Sequence, residues 1–144
     1  MEGLRMTRSA TSEQRAGRAA LQKCLADLLN GVSPMDAMKR DEIEFGRRPL
    51  DLDERPWFAS NVWHDGVVAI DDAAREVRIV AIAAKAPGAG ALRKLVAGIE
   101  SEGMTPVIVE AMTDGMLTIL SKWNWKRSIV PVGGAFEEQW RPPR

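Results

Sequence analysis

Tyrosine is absent from this chain, and histidine and cysteine occur once each, as His64 and Cys24. No phenol is available to move a proton, and one imidazole with one thiol leaves no set of metal ligands, so no metal site is expected. A single cysteine cannot close an internal disulfide. Its place among Leu21, Leu25, Leu28 and Leu29 reads as a buried helical thiol in a reducing compartment. Charge of one sign is missing too: 20 basic and 20 acidic residues cancel. No global field draws the protein to nucleic acid or to an anionic membrane, so any such binding must be local. No apolar run approaches the roughly 18 residues that a membrane helix needs, and residues 1–18 are charged and polar rather than signal-like. The expectation is a soluble, cytoplasmic protein without internal repeats.

With 144 residues the chain is long enough for one domain whose core needs no staple. Residues 1–12 carry Arg5, Arg8, Ser9, Thr11 and Ser12 with little apolar content, and read as a flexible start before a single domain over 13–144. Ser12 then precedes an apolar stripe (Ala16, Ala20, Leu25, Leu28) that stops at Gly31, predicting a helix over 13–30. Ser33-Pro34 predicts a second helix ending before Gly46, with Met35, Met38 and Ile43 facing inward. Arg47 to Phe58 reads as a long surface loop, in which Trp57 and Phe58 beside Arg47, Arg48 and Arg55 could clamp a substrate. Two strands around His64-Asp65-Gly66 are expected next as a hairpin. After a turn at Asp71–Ala74 come a strand over 76–84, a helix over about 89–102, a strand over 105–112 and a short helix over 116–123. Asn124 is the helix exit, and a last strand begins at Trp125. Trp123 and Trp125 flank that exit and are expected to send their rings to opposite sides, core packing being the simpler role. Gly133-Gly134 interrupts the chain before its Trp-Arg-Pro-Pro end.

The stretch that organises this order is Lys85-Ala86-Pro87-Gly88-Ala89-Gly90. It closes the apolar strand of Val77, Ile79, Val80 and Ile82 and opens a helix spaced as Leu92, Leu95, Val96 and Ile99. The first amides of a helix lack intrahelical partners and sit at the positive end of its dipole, so an anion is the natural occupant. Gly88 and Gly90 remove side chains that would hold a diphosphate off the backbone. Two nucleotide motifs are excluded: Gly-x-Gly-x-x-Gly lacks its third glycine, and Lys94 is not in a Gly-Lys-Ser/Thr context.

The element order resembles the GCN5-related N-acetyltransferase (GNAT) superfamily over about residues 13–132. Lys85-Ala86-Pro87-Gly88-Ala89-Gly90 is similar to the family's Gln/Arg-x-x-Gly-x-Gly/Ala acyl-CoA loop, with lysine first. Ala91–Val96 and Glu102-Gly103-Met104 resemble the helix that follows and its glycine stop, and Ile119–Lys126 resembles the family's Leu-Tyr-x-Lys-x-Gly-Phe-Lys segment. The resemblance implies an α/β fold: a mixed twisted sheet with flanking helices, two N-terminal helices, and a short C-terminal helix before the last strand. It also implies that the sheet splays after its long strand, so that the coenzyme's pantetheine arm pairs with the free edge at Ala84. The pyrophosphate would then lie on the amides of Gly88, Ala89, Gly90 and Ala91, with Lys85 or Arg93 adding charge. The implied activity is transfer of an acetyl or similar group from acetyl-CoA, or another acyl-CoA, to an amine acceptor.

The chain departs from the family where a tyrosine would protonate the departing thiolate, because Leu120 stands there. General acid–base help is worth about 10²–10⁴-fold, so its loss alone does not abolish transfer. Candidate bases are Glu110, His64 and Glu44, with Glu110 favoured as a polar residue beside the cleft. Small size, short loops and the Trp-Arg-Pro-Pro end resemble GNAT-like proteins encoded by bacteriophages, which implies a host-cell cytoplasmic or virion location. Three classes follow: an acyl-CoA-dependent N-acyltransferase, a catalytically silent GNAT-fold interaction module, and a nucleic-acid-binding domain, the last disfavoured by neutral charge. Self-association or a protein assembly stays open.

Overall fold

The computed structural model describes residues 31, 33–86, 90–111 and 113–143. The expected helix over 13–30, Cys24, the start over 1–12, and Pro87, Gly88 and Ala89 of the glycine turn lie outside the described residues. The fold is mixed α/β, with three described helices and a six-stranded sheet. In chain order the elements are α1 (Pro34–Glu44), β1 (Arg48–Pro49), β2 (Trp63–Asp71), β3 (Glu76–Ala84), α2 (Ala91–Ser101), β4 (Thr105–Val109), α3 (Asp114–Lys122), β5 (Lys126–Val132) and β6 (Ala135–Arg141). Across the sheet the order is β1-β2-β3-β4-β6-β5. Of the neighbouring pairs only β3 and β4 run parallel, joined by a crossover through α2; β4 and β5, joined through α3, point the same way but have β6 between them. No described helix is long and apolar enough to cross a membrane.

α1 starts as expected. Ser33 Oγ accepts the Asp36 amide at 3.1 Å, Pro34 takes the first turn, and Gly46 follows the last with φ +80°. Its inward face differs from the apolar pattern. Ala37 and Glu42 are buried, whereas Ile43 is 61% exposed. Glu42 turns inward because a buried cation, Arg78 of β3, lies beneath it, and apolar spacing carries no signal for such a pair.

The hairpin expected at His64-Asp65-Gly66 does not form. Trp63–Asp71 is one continuous strand, and the turn comes later, between Asp71 and Glu76, with Arg75 at φ +54°. Gly66 serves close packing instead: a Cβ there would lie 3.0 Å from the Ala81 carbonyl and 3.2 Å from the Phe58 ring. The final segment also differs. Gly133-Gly134 is a hairpin turn with φ +54° and +82°, and the chain beyond it returns as β6, inserted between β4 and β5. Two strands therefore follow α3, not one. The charges that made this segment look unlike a strand are matched within the sheet, Glu137 by Arg78 and Glu138 by Arg127.

The main core lies between the sheet and the layer made by α2, α3 and the long loop after β1. Leu50, Phe58, Val68, Ile79, Leu95, Ile99, Ile108 and Leu120 anchor it. The loop is a strap rather than a free surface. Phe58 is fully buried, Trp57 Nε1 donates to Glu102 at 2.8 Å, and Arg55 pairs with the same carboxylate at 2.6 Å. Arg47 and Arg48 are paired with Glu42 and Glu54. The cations and rings expected to clamp a substrate are thus engaged in holding the loop to the fold.

Candidate functional site

The site begins where β3 loses a neighbour. β3 and β4 pair from Glu76↔Thr105 to Ile79↔Ile108, and there the ladder stops. Val67 of β2 faces Ala81 and Val68 faces Ile79, which leaves Val80 as an extra residue in β3. Such a bulge bends a strand and increases its twist. On the other side, Glu110 follows the end of β4 at φ +54° and turns the chain toward β6. The two strands therefore part, and no described residue pairs with the β4-facing edge of Val80–Ala84.

A groove of about 460 Å³ lies beside this parted edge. Its floor is Ile82 and Ala84 of β3 with Trp63 of β2, which stands opposite Ala84 in the ladder. One wall is the start of α2, Gly90 through Arg93; the other is α3, through Thr113, Met116, Ile119, Lys122 and Trp123. Helical spacing explains the second wall. Met116, Ile119 and Trp123 share one stripe, which turns Leu120 to the core, where it is fully buried. Among the described residues no acidic side chain lines the groove, and two cations, Arg93 and Lys122, do.

The two helix N-termini at the groove differ. Thr113 Oγ1 accepts the Met116 amide at 3.1 Å and so closes the start of α3. Gly90 sits at φ +78° and offers α2 no side-chain cap. Among the described residues no side chain caps the first amides of α2, where the helix dipole favours a negative partner.

Of the coenzyme-binding candidates, Ala84, Gly90, Ala91 and Arg93 come together in this groove. Lys85 does not line it. Its amide donates to the Val62 carbonyl at 2.9 Å, and its charge acts on Asp53, whose carboxyl is held below its usual value chiefly by hydrogen bonds from Ser60. His64 is exposed, as the extra residue of a second bulge where Trp63 faces Ala84 and Asp65 faces Ala83. It is outside the groove lining as well. Glu110 is half-buried at the tip of the β4 branch, also outside the lining. Its carboxylate accepts the Glu138 amide at 2.6 Å, and the Glu138 carboxylate in turn accepts the Ala111 amide at 3.0 Å. Burial pushes the Glu110 carboxyl above its ordinary value, and the charges of Glu138 and Glu137 push the same way.

Trp63, Thr113, Met116, Ile119 and Lys122 were not singled out from sequence. The stripe of Met116, Ile119 and Trp123 was the available signal, since it continues one face of α3 past the residues needed for the core. Trp123 lines the groove and Trp125 is buried in the core, and their rings meet at 6.0 Å.

Beneath the fork lies a buried ion cluster. Arg78 donates to Glu42 of α1 and to Glu137 of β6 at 2.7–3.1 Å, and is 4% exposed. Burial opposes its charge, but the two carboxylates outweigh that and raise its pKa. Burial would likewise raise Glu137, and the Arg78 hydrogen bonds and charge override it and hold Glu137 below its ordinary value. A scan against family models and searches of curated proteins and of solved structures find no match to this chain.

Proposed function

We propose that the groove binds an acyl-CoA and that the protein is an N-acyltransferase of GNAT type, moving an acetyl or similar group to an amine. The observation that carries this reading is the fork: β3 keeps an unpaired edge from Val80 to Ala84 beside an uncapped helix start. An amide-bearing pantetheine arm is a fitting partner for such an edge, and a diphosphate for such a helix start. The lining agrees with that chemistry, being apolar along Ile82, Ala84, Leu92, Met116 and Ile119, and cationic at Arg93 and Lys122. In this reading Gly90, Ala91 and Arg93 hold phosphate. Glu110, whose raised pKa suits proton uptake, is the candidate base for the amine.

A second reading has its own support. Leu120, which stands at the family's tyrosine position, is fully buried in the core and offers the groove no proton donor. The fold then serves as a silent module that binds coenzyme without turnover, or serves only in assembly. Calorimetry with acetyl-CoA on the wild type and on Gly90→Glu tests the main reading, together with a thiol assay for released CoA in the presence of amines. Saturable binding lost in Gly90→Glu, with thiol release, is expected. Binding without release selects the silent module, and no binding removes the coenzyme from both readings.

A further inference from the structure

Arg93 differs from most of the described arginines in what its guanidinium meets; Arg75 reaches the Gly103 carbonyl. Arg47, Arg48, Arg55, Arg78, Arg127 and Arg141 each have a carboxylate partner. Arg93 has none among the described residues; its guanidinium carbon lies 4.9 Å from the centre of the Trp123 ring. Arg93 comes from the first turn of α2, and Trp123 from the C-terminal end of α3, so the stack spans the groove from wall to wall. The Trp125 ring also packs against Trp123, 6.0 Å away and tilted by 48°. A guanidinium on an indole face is held more weakly than one in a bidentate phosphate contact. With no acid among the described lining residues, an incoming phosphate is the stronger partner.

We propose that the groove takes a ligand carrying both a diphosphate and a planar base, that Arg93 leaves Trp123 for the phosphate, and that the base occupies the freed ring face. This rests on the coenzyme reading above and narrows it. It selects a free nucleotide-bearing acyl-CoA over a phosphopantetheine arm attached to a carrier protein, which has one phosphate and no base. Stacking of a base on an aromatic ring and a charge-assisted phosphate contact are each large enough to be read separately.

The test titrates acetyl-CoA, adenosine diphosphate and acetyl-pantetheine into the wild type, Arg93→Ala and Trp123→Leu, followed by heat and by tryptophan fluorescence. Acetyl-CoA and adenosine diphosphate should each lose about tenfold or more in affinity with either substitution. Acetyl-pantetheine should bind more weakly and be indifferent to Arg93→Ala. The fluorescence change should shrink in Trp123→Leu, with Trp63 of the groove floor still reporting. Equal losses for acetyl-CoA and acetyl-pantetheine in Arg93→Ala overturn the nucleotide seat and leave the coenzyme reading standing. Binding of adenosine diphosphate without acetyl-CoA keeps the seat and removes the acyl-transfer reading, and no binding of any of the three removes both. Arg93 is exposed and makes no ion pair among the described residues, so Arg93→Ala decides the matter even if Trp123→Leu fails to fold.

Discussion

The two halves of β3 have opposite surroundings. From Glu76 to Ile79 the strand is paired on both edges, and Arg78 ties it on one face to α1 and β6. From Val80 to Ala84 it is paired on one edge only and looks onto an apolar groove. The strand itself does not end at the boundary; Val80 bulges there and Glu110 turns the neighbour away. The difference teaches that the open half depends on the closed one: a sheet can part cleanly only if its root is held, and Arg78 holds the root across β4.

The largest way to break this arrangement is at the root. Arg78→Met leaves Glu42 and Glu137 buried without their shared cation, and removal of one partner from such a set costs about 3–5 kcal/mol. Urea unfolding should show that loss as a lower midpoint with unchanged slope. Replacing Glu42 and Glu137 by leucine as well should recover part of it, because the two buried carboxylates are then gone and Arg47, the other partner of Glu42, is the charge left without its pair. A single variant within 1 kcal/mol of wild type would remove the root from the account.

The next effect depends on pH, with opposite signs at the two carboxylates. Glu137 is held below its ordinary value of 4.5, so the unfolded chain takes up its proton first as pH falls. Its contribution is present above the ordinary value and is lost as pH drops through the lower folded value. Glu110 is raised above 4.5, so the folded chain takes its proton first, and its contribution improves as pH falls from the raised value toward the ordinary one. Glu137→Gln should therefore cost roughly 3 kcal/mol at neutral pH and progressively less in acid. Glu110→Gln, which keeps an acceptor for the Glu138 amide, should give a small gain near neutral pH that disappears in acid. Denaturant midpoints across pH check both slopes, and slopes of the same sign would contradict them.

The same division separates what could be read in the sequence from what could not. The apolar strand of β3, its entry into α2, and the caps at Ser33 and Thr113 are local signals and were legible. So was the helix exit at Asn124, which has φ +58°. The helix start at Gly90 and Ala91 was legible too, since a glycine at a helix start is a local feature. What stayed hidden depends on partners far apart in the chain. Nothing local marks Glu42 of α1 for burial, because its partner Arg78 lies 36 residues on. Asp65-Gly66 looked like a turn because the close contact with Phe58 and Ala81 is a tertiary fact. β6 looked like a charged tail for the same reason.

A smaller effect compares the two helix starts. Thr113→Ala should cost about 1 kcal/mol by freeing the Met116 amide. It should also leave an added anion two open helix starts at the groove, where the wild type has one. Thermal unfolding with and without phosphate checks the pair: the cost should shrink as phosphate is added, and a cost that is insensitive to it would mean that the capped end is closed to the groove.

The smallest expected change in stability carries the sharpest test of the open half. Ala84 is partly buried at the groove floor, on the edge that β4 leaves unpaired. Ala84→Leu puts three more carbons into the groove rather than into the core, so unfolding should shift by no more than about 0.5 kcal/mol. The same side chain fills the path that a pantetheine arm would take along the strand, and acetyl-CoA affinity should fall at least about tenfold. Arg78→Met should do the reverse, with a large loss of stability and, in the molecules that remain folded at low temperature, a smaller change in affinity. If Ala84→Leu unfolds the protein instead, its side chain enters the packed interior, and the edge from Val80 to Ala84 is part of the core rather than the wall of a binding site.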